Sequence, residues 1–147
     1  MIQRKQTVFL LIAFVLTVVC MSMQVATLSA DGIVFAQVYN LWIANGQGQH
    51  SLANWPMFAL LLLAALLSLV TIFQYMKRKL QAQMCLLLIL LYLAWYVLLA
   101  VLPQWRGGDL GLQWPAVLPM VSVILTFMAR KGVLADEKLV RAADRIR

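Results

Sequence analysis

WPMFALLLLAALLSLVTIFQY, Trp55–Tyr75, runs from an interfacial Trp-Pro pair to the edge of a basic triplet without one Asp, Glu, Lys, Arg or His. A helix needs about 20 apolar residues at about 1.5 Å each to cross a bilayer core. Three further stretches of the same kind flank it: Val8–Leu28, Met84–Leu102 and Leu112–Ala129. A soluble protein would have to bury four helices that are apolar all round, with almost no amphipathic helix left to cover them. The chain of 147 residues is 64% hydrophobic and 12% charged, with a mean hydropathy of +0.88, far from the balance of an ordinary soluble domain. We therefore expect an all-α membrane protein, a four-transmembrane-helix bundle forming one domain over residues 1–147, because short connections leave no room for a second core.

The charge distribution orients these spans. Eleven of the twelve Lys and Arg lie in three clusters: Arg4 and Lys5; Lys77, Arg78 and Lys79; and Arg130, Lys131, Lys138, Arg141, Arg145 and Arg147. Four spans put all three clusters on one side, and Arg106, the twelfth, on the other. This positive-inside pattern predicts both termini in the cytoplasm. It also assigns the net charge of +7 to membrane orientation rather than to nucleic acid. The first span has no good cleavage site, since Leu28 precedes Ser29-Ala30 at the minus-three position, so an uncleaved span is expected. Cys20 and Cys85 fall within spans, where small apolar packing residues are expected rather than a disulfide or metal site.

The longest connection, Ser29–Asn54, carries the one non-helical signal. Val25–Ser29 and Ile33–Tyr39 flank Ala30-Asp31-Gly32, and Asp-Gly between β-rich runs predicts a short extracytoplasmic β-hairpin. The competing arrangement extends the first helix to Leu28 and places an interfacial helix at Phe35–Ile43. About eight residues, Met76–Gln83, should link the second and third spans. Pro103 through Asp109 should form the last external turn. Pro119 should bend the fourth span or confine its regular helix to the inner part. Trp42, Trp55, Trp105 and Trp114 fall on the outer side as an aromatic belt, and Trp95, midway along the third span, is the exception.

Catalytic constellations are missing from the pattern. His50 is a lone loop histidine without metal-binding company, and Asp31 and Asp109 read as turn residues. An enzyme is not expected, nor a cofactor or metal. Ion-coupled carriers keep a charged residue inside the membrane, whereas the intramembrane polar residues here are Thr17, Ser22, Gln24, Ser68, Thr71, Gln74, Ser122 and Thr126. Ala64 with Ser68, and Ser122 with Thr126, share helix faces and suit close packing. At the end of the chain, Gly132 should stop the fourth helix and Asp136 should cap a new amphipathic one, 136–147. Leu139, Val140, Ala142, Ala143 and Ile146 would form its apolar side, with Glu137 and Arg141 in the favourable i,i+4 order. Such a tail would lie on the inner leaflet or dock on a partner or on the Lys77–Lys79 turn.

The opening Met1–Thr7 (MIQRKQT) and the closing Asp136–Arg147 (DEKLVRAADRIR) resemble a family of four-span membrane proteins from Bacteroidota catalogued only as a domain of unknown function. The resemblance implies a Gram-negative inner membrane and carries over no catalytic or ligand residues. The expected role is a non-enzymatic accessory or scaffold subunit of an inner-membrane assembly, with a small oligomeric transporter or channel for a neutral or small solute as the alternative. The candidate contacts for anionic headgroups or for a membrane-protein partner, a second copy included, are Arg4, Lys5, Lys77, Arg78, Lys79, Arg141 and Arg145.

Overall fold

A computed structural model describes residues 2–74 and 76–146. Four long helices, α1 (Ile2–Ser22), α2 (Trp55–Phe73), α3 (Arg78–Arg106) and α4 (Leu118–Ile146), run alternately up and down. Around the bundle each packs on its sequence neighbours and α4 closes the ring on α1. All four are long and apolar enough to cross a membrane.

The buried positions of each helix alternate in steps of three and four. Apart from Ala65 and Ala82, which are also buried, they are Gln6, Leu10, Ala13, Thr17 and Cys20 on α1, and Met57, Leu61, Ala64, Ser68 and Thr71 on α2. Those of α3 are Gln81, Cys85, Leu88, Tyr92, Trp95, Leu99 and Leu102, and those of α4 are Pro119, Ser122, Thr126, Ala129, Val133 and Asp136. This is the 3.5-residue seam of helices packed side by side at a shallow angle. Small and hydroxylated residues alternate along it with larger ones such as Leu10, Leu61, Leu88 and Trp95, while the exposed faces are mostly Leu, Ile, Val and Phe.

At one end of the bundle lies a sheet, and the expectation of an all-α chain is corrected there. Five antiparallel strands, β1 (Gln24–Ala30), β2 (Ile33–Tyr39), β3 (Ile43–Asn45), β4 (His50–Ser51) and β5 (Asp109–Leu112), stand in the order β4-β3-β2-β1-β5. The β1–β2 hairpin forms at the predicted Asp31-Gly32, whose φ values of 54° and 79° give the two-residue turn that matches strand twist. The interfacial helix at Phe35–Ile43 is excluded. β5 was unforeseen: the α3–α4 connection pairs with β1 from Ala26↔Leu112 to Ser29↔Asp109. The sheet rests on the bundle through Val25, Ala26, Leu28, Ala36, Val38 and Ile43, which share one core cluster with Leu99, Leu102 and Ala116. A register shift between Gln24 and Ala26 lets the adjacent Val25 and Ala26 both be buried.

Several span limits move accordingly. Residues 24–28, expected at the end of the first span, are strand, because β1 finds hydrogen-bond partners on both sides. α1 keeps its reach, about 32 Å for its 21 residues, by starting at Ile2 instead. α3 begins six residues early and continues through Pro103 to Arg106, which reduces the predicted eight-residue link to the few residues before Arg78. The fourth span starts as a single 3-10 turn at Trp114–Val117 and becomes α-helix at Leu118. Pro119 therefore sits in the first turn, where its missing N–H costs nothing.

Nor does Gly132 stop α4, which runs unbroken to Ile146 with no separate tail helix. The glycine makes room instead. A Cβ there would lie 3.0 Å from Cγ and Nε2 of Gln6, and Gln6 reaches past it to donate a 2.8 Å hydrogen bond to Asp136 Oδ2. Asp136 is thus an acceptor on the inner seam and not a helix cap. Leu139 and Val140 are exposed rather than docked on the bundle.

Candidate functional site

Two ends and a polar seam between them are where this fold could act. At the sheet end, Asn40 follows β2 and is fully buried. Its Nδ2 donates to the carbonyl of Cys20 at 2.7 Å, and its Oδ1 accepts from Trp95 Nε1 at 2.8 Å. The Cys20 carbonyl lies in the last turn of α1, where it otherwise accepts a long 3.3 Å bond from the Met23 N–H. The indole N–H of a fully buried Trp equally requires an acceptor. One side chain answers both, and thereby ties the sheet to the end of α1 and to the middle of α3. Asn54 Nδ2 donates to the Tyr39 carbonyl at 2.9 Å, and Tyr96 Oη donates to the Ala116 carbonyl at 2.6 Å, closing the remaining sides.

Halfway along the bundle, Thr17 Oγ1 donates to the Ala13 carbonyl at 2.7 Å, so the 2.7 Å contact between Thr17 and Tyr92 has the phenol as donor. This bond joins α1 and α3 across the centre. Ser122 Oγ lies 3.1 Å from the Leu118 carbonyl and 3.3 Å from that of Ala13. Ser68, Thr71 and Thr126 donate to carbonyls of their own helices. The hydroxyl-bearing faces recognised in the sequence are packing faces. Cys20 and Cys85 are buried free thiols. His50 is exposed, its ring edge-on to Trp42 at 6.2 Å.

The opposite end gathers the basic residues. Lys5 is exposed at the start of α1, Lys77 lies in the turn before α3, and Arg78 and Lys79 open that helix. The side chain of Arg4 lies outside the described residues. Arg141 forms an ion pair with Glu137 at 2.6 Å, and Arg145 projects from the last turns of α4. The structure brings together Lys79 and Arg141, which line one cleft between α3 and α4, and adds Arg130 and Lys138 to them. Lys5 and Arg145 are not among its lining residues.

Sequence reasoning missed Asn40, Tyr92 and Arg130. Trp95 held a usable signal, since an indole deep in a span demands a polar partner. Nothing local showed that the partner would come from a loop 55 residues away. Arg130, at the boundary of the expected fourth span, read as one more basic flank. Its Nε is buried without a hydrogen-bond partner.

The chain belongs to the family described as Domain of unknown function (DUF4293), which matches residues 2–146. No curated protein matches it.

Proposed function

We propose that this DUF4293 chain is a multi-pass inner-membrane scaffold: a non-enzymatic accessory subunit that offers its sheet to a membrane-protein partner. The Asn40 bridge carries this reading. A loop that merely connects helices has no need of strands from two separate connections. Still less does it need a buried amide tying them to α1 and α3. Such bracing supports a rigid contact surface. The surface is apolar at the hairpin tip, where Ile33 is 72% and Val34 is 55% exposed beside Phe35. Exposed contiguous apolar residues on an ordered element mark contact sites.

The bilayer placement is supported by the outward faces of the helices. Exposed Val8, Leu11, Ile12 and Val15 on α1, with Leu62, Leu63 and Leu66 on α2 and Leu86, Leu90 and Leu93 on α3, make a belt unsuited to water. Trp55, Trp105 and Trp114 are exposed near the sheet end, as residues at a membrane interface would be. The excess of Lys and Arg at the opposite end favours a cytoplasmic location for the termini, with the sheet outside. The resemblance to Bacteroidota proteins favours the inner membrane. A solute path has less support, because the seam hydroxyls already hydrogen-bond to backbone carbonyls or to one another.

Reporter fusions at Gly46, Lys79 and Arg147 test the orientation, and an extracytoplasmic signal at Arg147 would overturn it. A photo-crosslinking residue at Ile33 or Val34 tests the function. The expected outcome is a discrete adduct with another membrane protein that the same probe at Gln47, in the polar turn, does not form. Absence of any adduct, together with solute flux through the protein in liposomes, would replace the scaffold with a transporter.

A further inference from the structure

The cleft between α3 and α4 at the basic end encloses about 390 Å³ and is lined by Lys79, Arg130, Lys138 and Arg141 with Glu137 as the one acid. Its size falls in the range of about 300–1,000 Å³ typical of small-ligand sites. Glu137 is engaged by Arg141 at 2.6 Å, so its charge is directed at the rim. The inner residue, Arg130, has no such partner. Among the described residues its Nε is the one buried side-chain nitrogen or oxygen without a hydrogen bond. Native folds rarely leave a buried donor unanswered, and a cationic one in a cleft of like charge least of all. Four cations against one acid, itself engaged by Arg141, make the cleft a place for an anion.

Which anion is indicated by the walls. Ala82, Leu86 and Leu134 line the same cleft. From Leu86 the face of α3 continues through Leu90 and Leu93, exposed and one turn apart, into the apolar belt. A soluble phosphate would need the cationic end alone. A phospholipid would use both, its headgroup among the cations and its chain along the leucines. Basic pockets between helices at a membrane surface suit such headgroups.

We infer that the α3–α4 cleft is a binding site for an anionic phospholipid, with the headgroup phosphate accepting from Arg130 and flanked by Lys79, Lys138 and Arg141. This rests on the bilayer placement proposed above. Resistance of the protein to alkaline extraction from membranes checks that placement separately, so the two failures are distinguishable.

Native mass spectrometry of the full-length protein in mild detergent, titrated with phosphatidylglycerol, phosphatidylethanolamine or inorganic phosphate, tests the site. Phosphatidylglycerol should bind in preference to phosphatidylethanolamine and should not be displaced by inorganic phosphate. Arg130→Gln should weaken its binding about tenfold, and Lys138→Gln about fivefold, as the loss of one charge-assisted contact implies. Lys131→Gln, on the same helix with its ammonium over Phe127 and outside the cleft, should leave binding unchanged. Equal losses in all three variants would reduce the effect to diffuse surface charge and overturn the site. Inorganic phosphate binding as well as the lipid would overturn the lipid assignment. Lys138 is exposed at the rim, so Lys138→Gln keeps the test decisive if Arg130→Gln does not fold.

Discussion

At the sheet end of the bundle the buried polar groups answer one another, whereas at the basic end Arg130 Nε is buried without a hydrogen-bond partner beside a cleft of like charge. The sheet end is closed from several directions, by Asn40, Asn54 and Tyr96, each donating to or accepting from a neighbouring element. The basic end is tied by Gln6–Asp136, and beyond that bond the exposed last turns of α4 extend about 15 Å. Full internal satisfaction suits a region whose task is to keep its shape. A cleft lined by four cations and one acid suits a region that takes a partner of opposite charge from outside the chain.

Trp95→Ala is the most severe way to break this contrast. It removes a fully buried indole and leaves Asn40 Oδ1 without its donor, so a loss of about 3–5 kcal/mol is expected. Unfolding of the purified protein in a denaturing-detergent titration measures it. A loss below that range would mean that the sheet is not braced through α3.

Gly132→Val should come next, at about 1–3 kcal/mol, because the new side chain enters the space of Gln6 and displaces it from Asp136. Amide exchange sharpens the comparison here. Protection should fall around Gln6 and Asp136 while the β1–β2 hairpin keeps its own. In the wild type, amides on either side of Gly132 should be protected alike, as one continuous helix requires.

Thr17→Val tests the seam between the ends. It removes the acceptor that the Tyr92 hydroxyl uses on α1 and leaves it the Ser122 hydroxyl, for an expected cost of up to about 1 kcal/mol. Adding Tyr92→Phe should then be nearly free, and a simple sum of the two single losses would deny the bond. The smallest effect belongs to Glu137→Gln. The pair it breaks has an Arg141 side chain 70% exposed, so thermal stability should fall by no more than about 0.5 kcal/mol, and less in high salt.

The physical reach of each signal separates what was legible from what was not. Hydropathy over about 20 residues is a property of the segment itself, so four long apolar helices could be read from Val8, Trp55, Met84 and Leu112 onward. The Asp31-Gly32 turn was legible for the same reason, since positive φ is a preference of those two residues. Helix limits were less so: Gly132 and Asp136 have good stop and cap chemistry, which the packing against Gln6 overrode. The seam was only half legible. Ala64–Ser68 and Ser122–Thr126 stood out, but in helices apolar on every side the inner face is marked by small and polar residues rather than by hydrophobicity.

By itself the sequence determined the number and approximate length of the helices, the hairpin turn and the asymmetry of charge between the two ends. Tertiary structure alone decided that β5 completes the sheet on β1, that Asn40 meets Trp95, and that Arg130 faces Lys79 across a cleft. These partners lie 80, 55 and 51 residues apart, and no local preference in either member specifies the other. They meet because four helices of similar length, turned back at their ends, bring distant segments to the same height in the bundle.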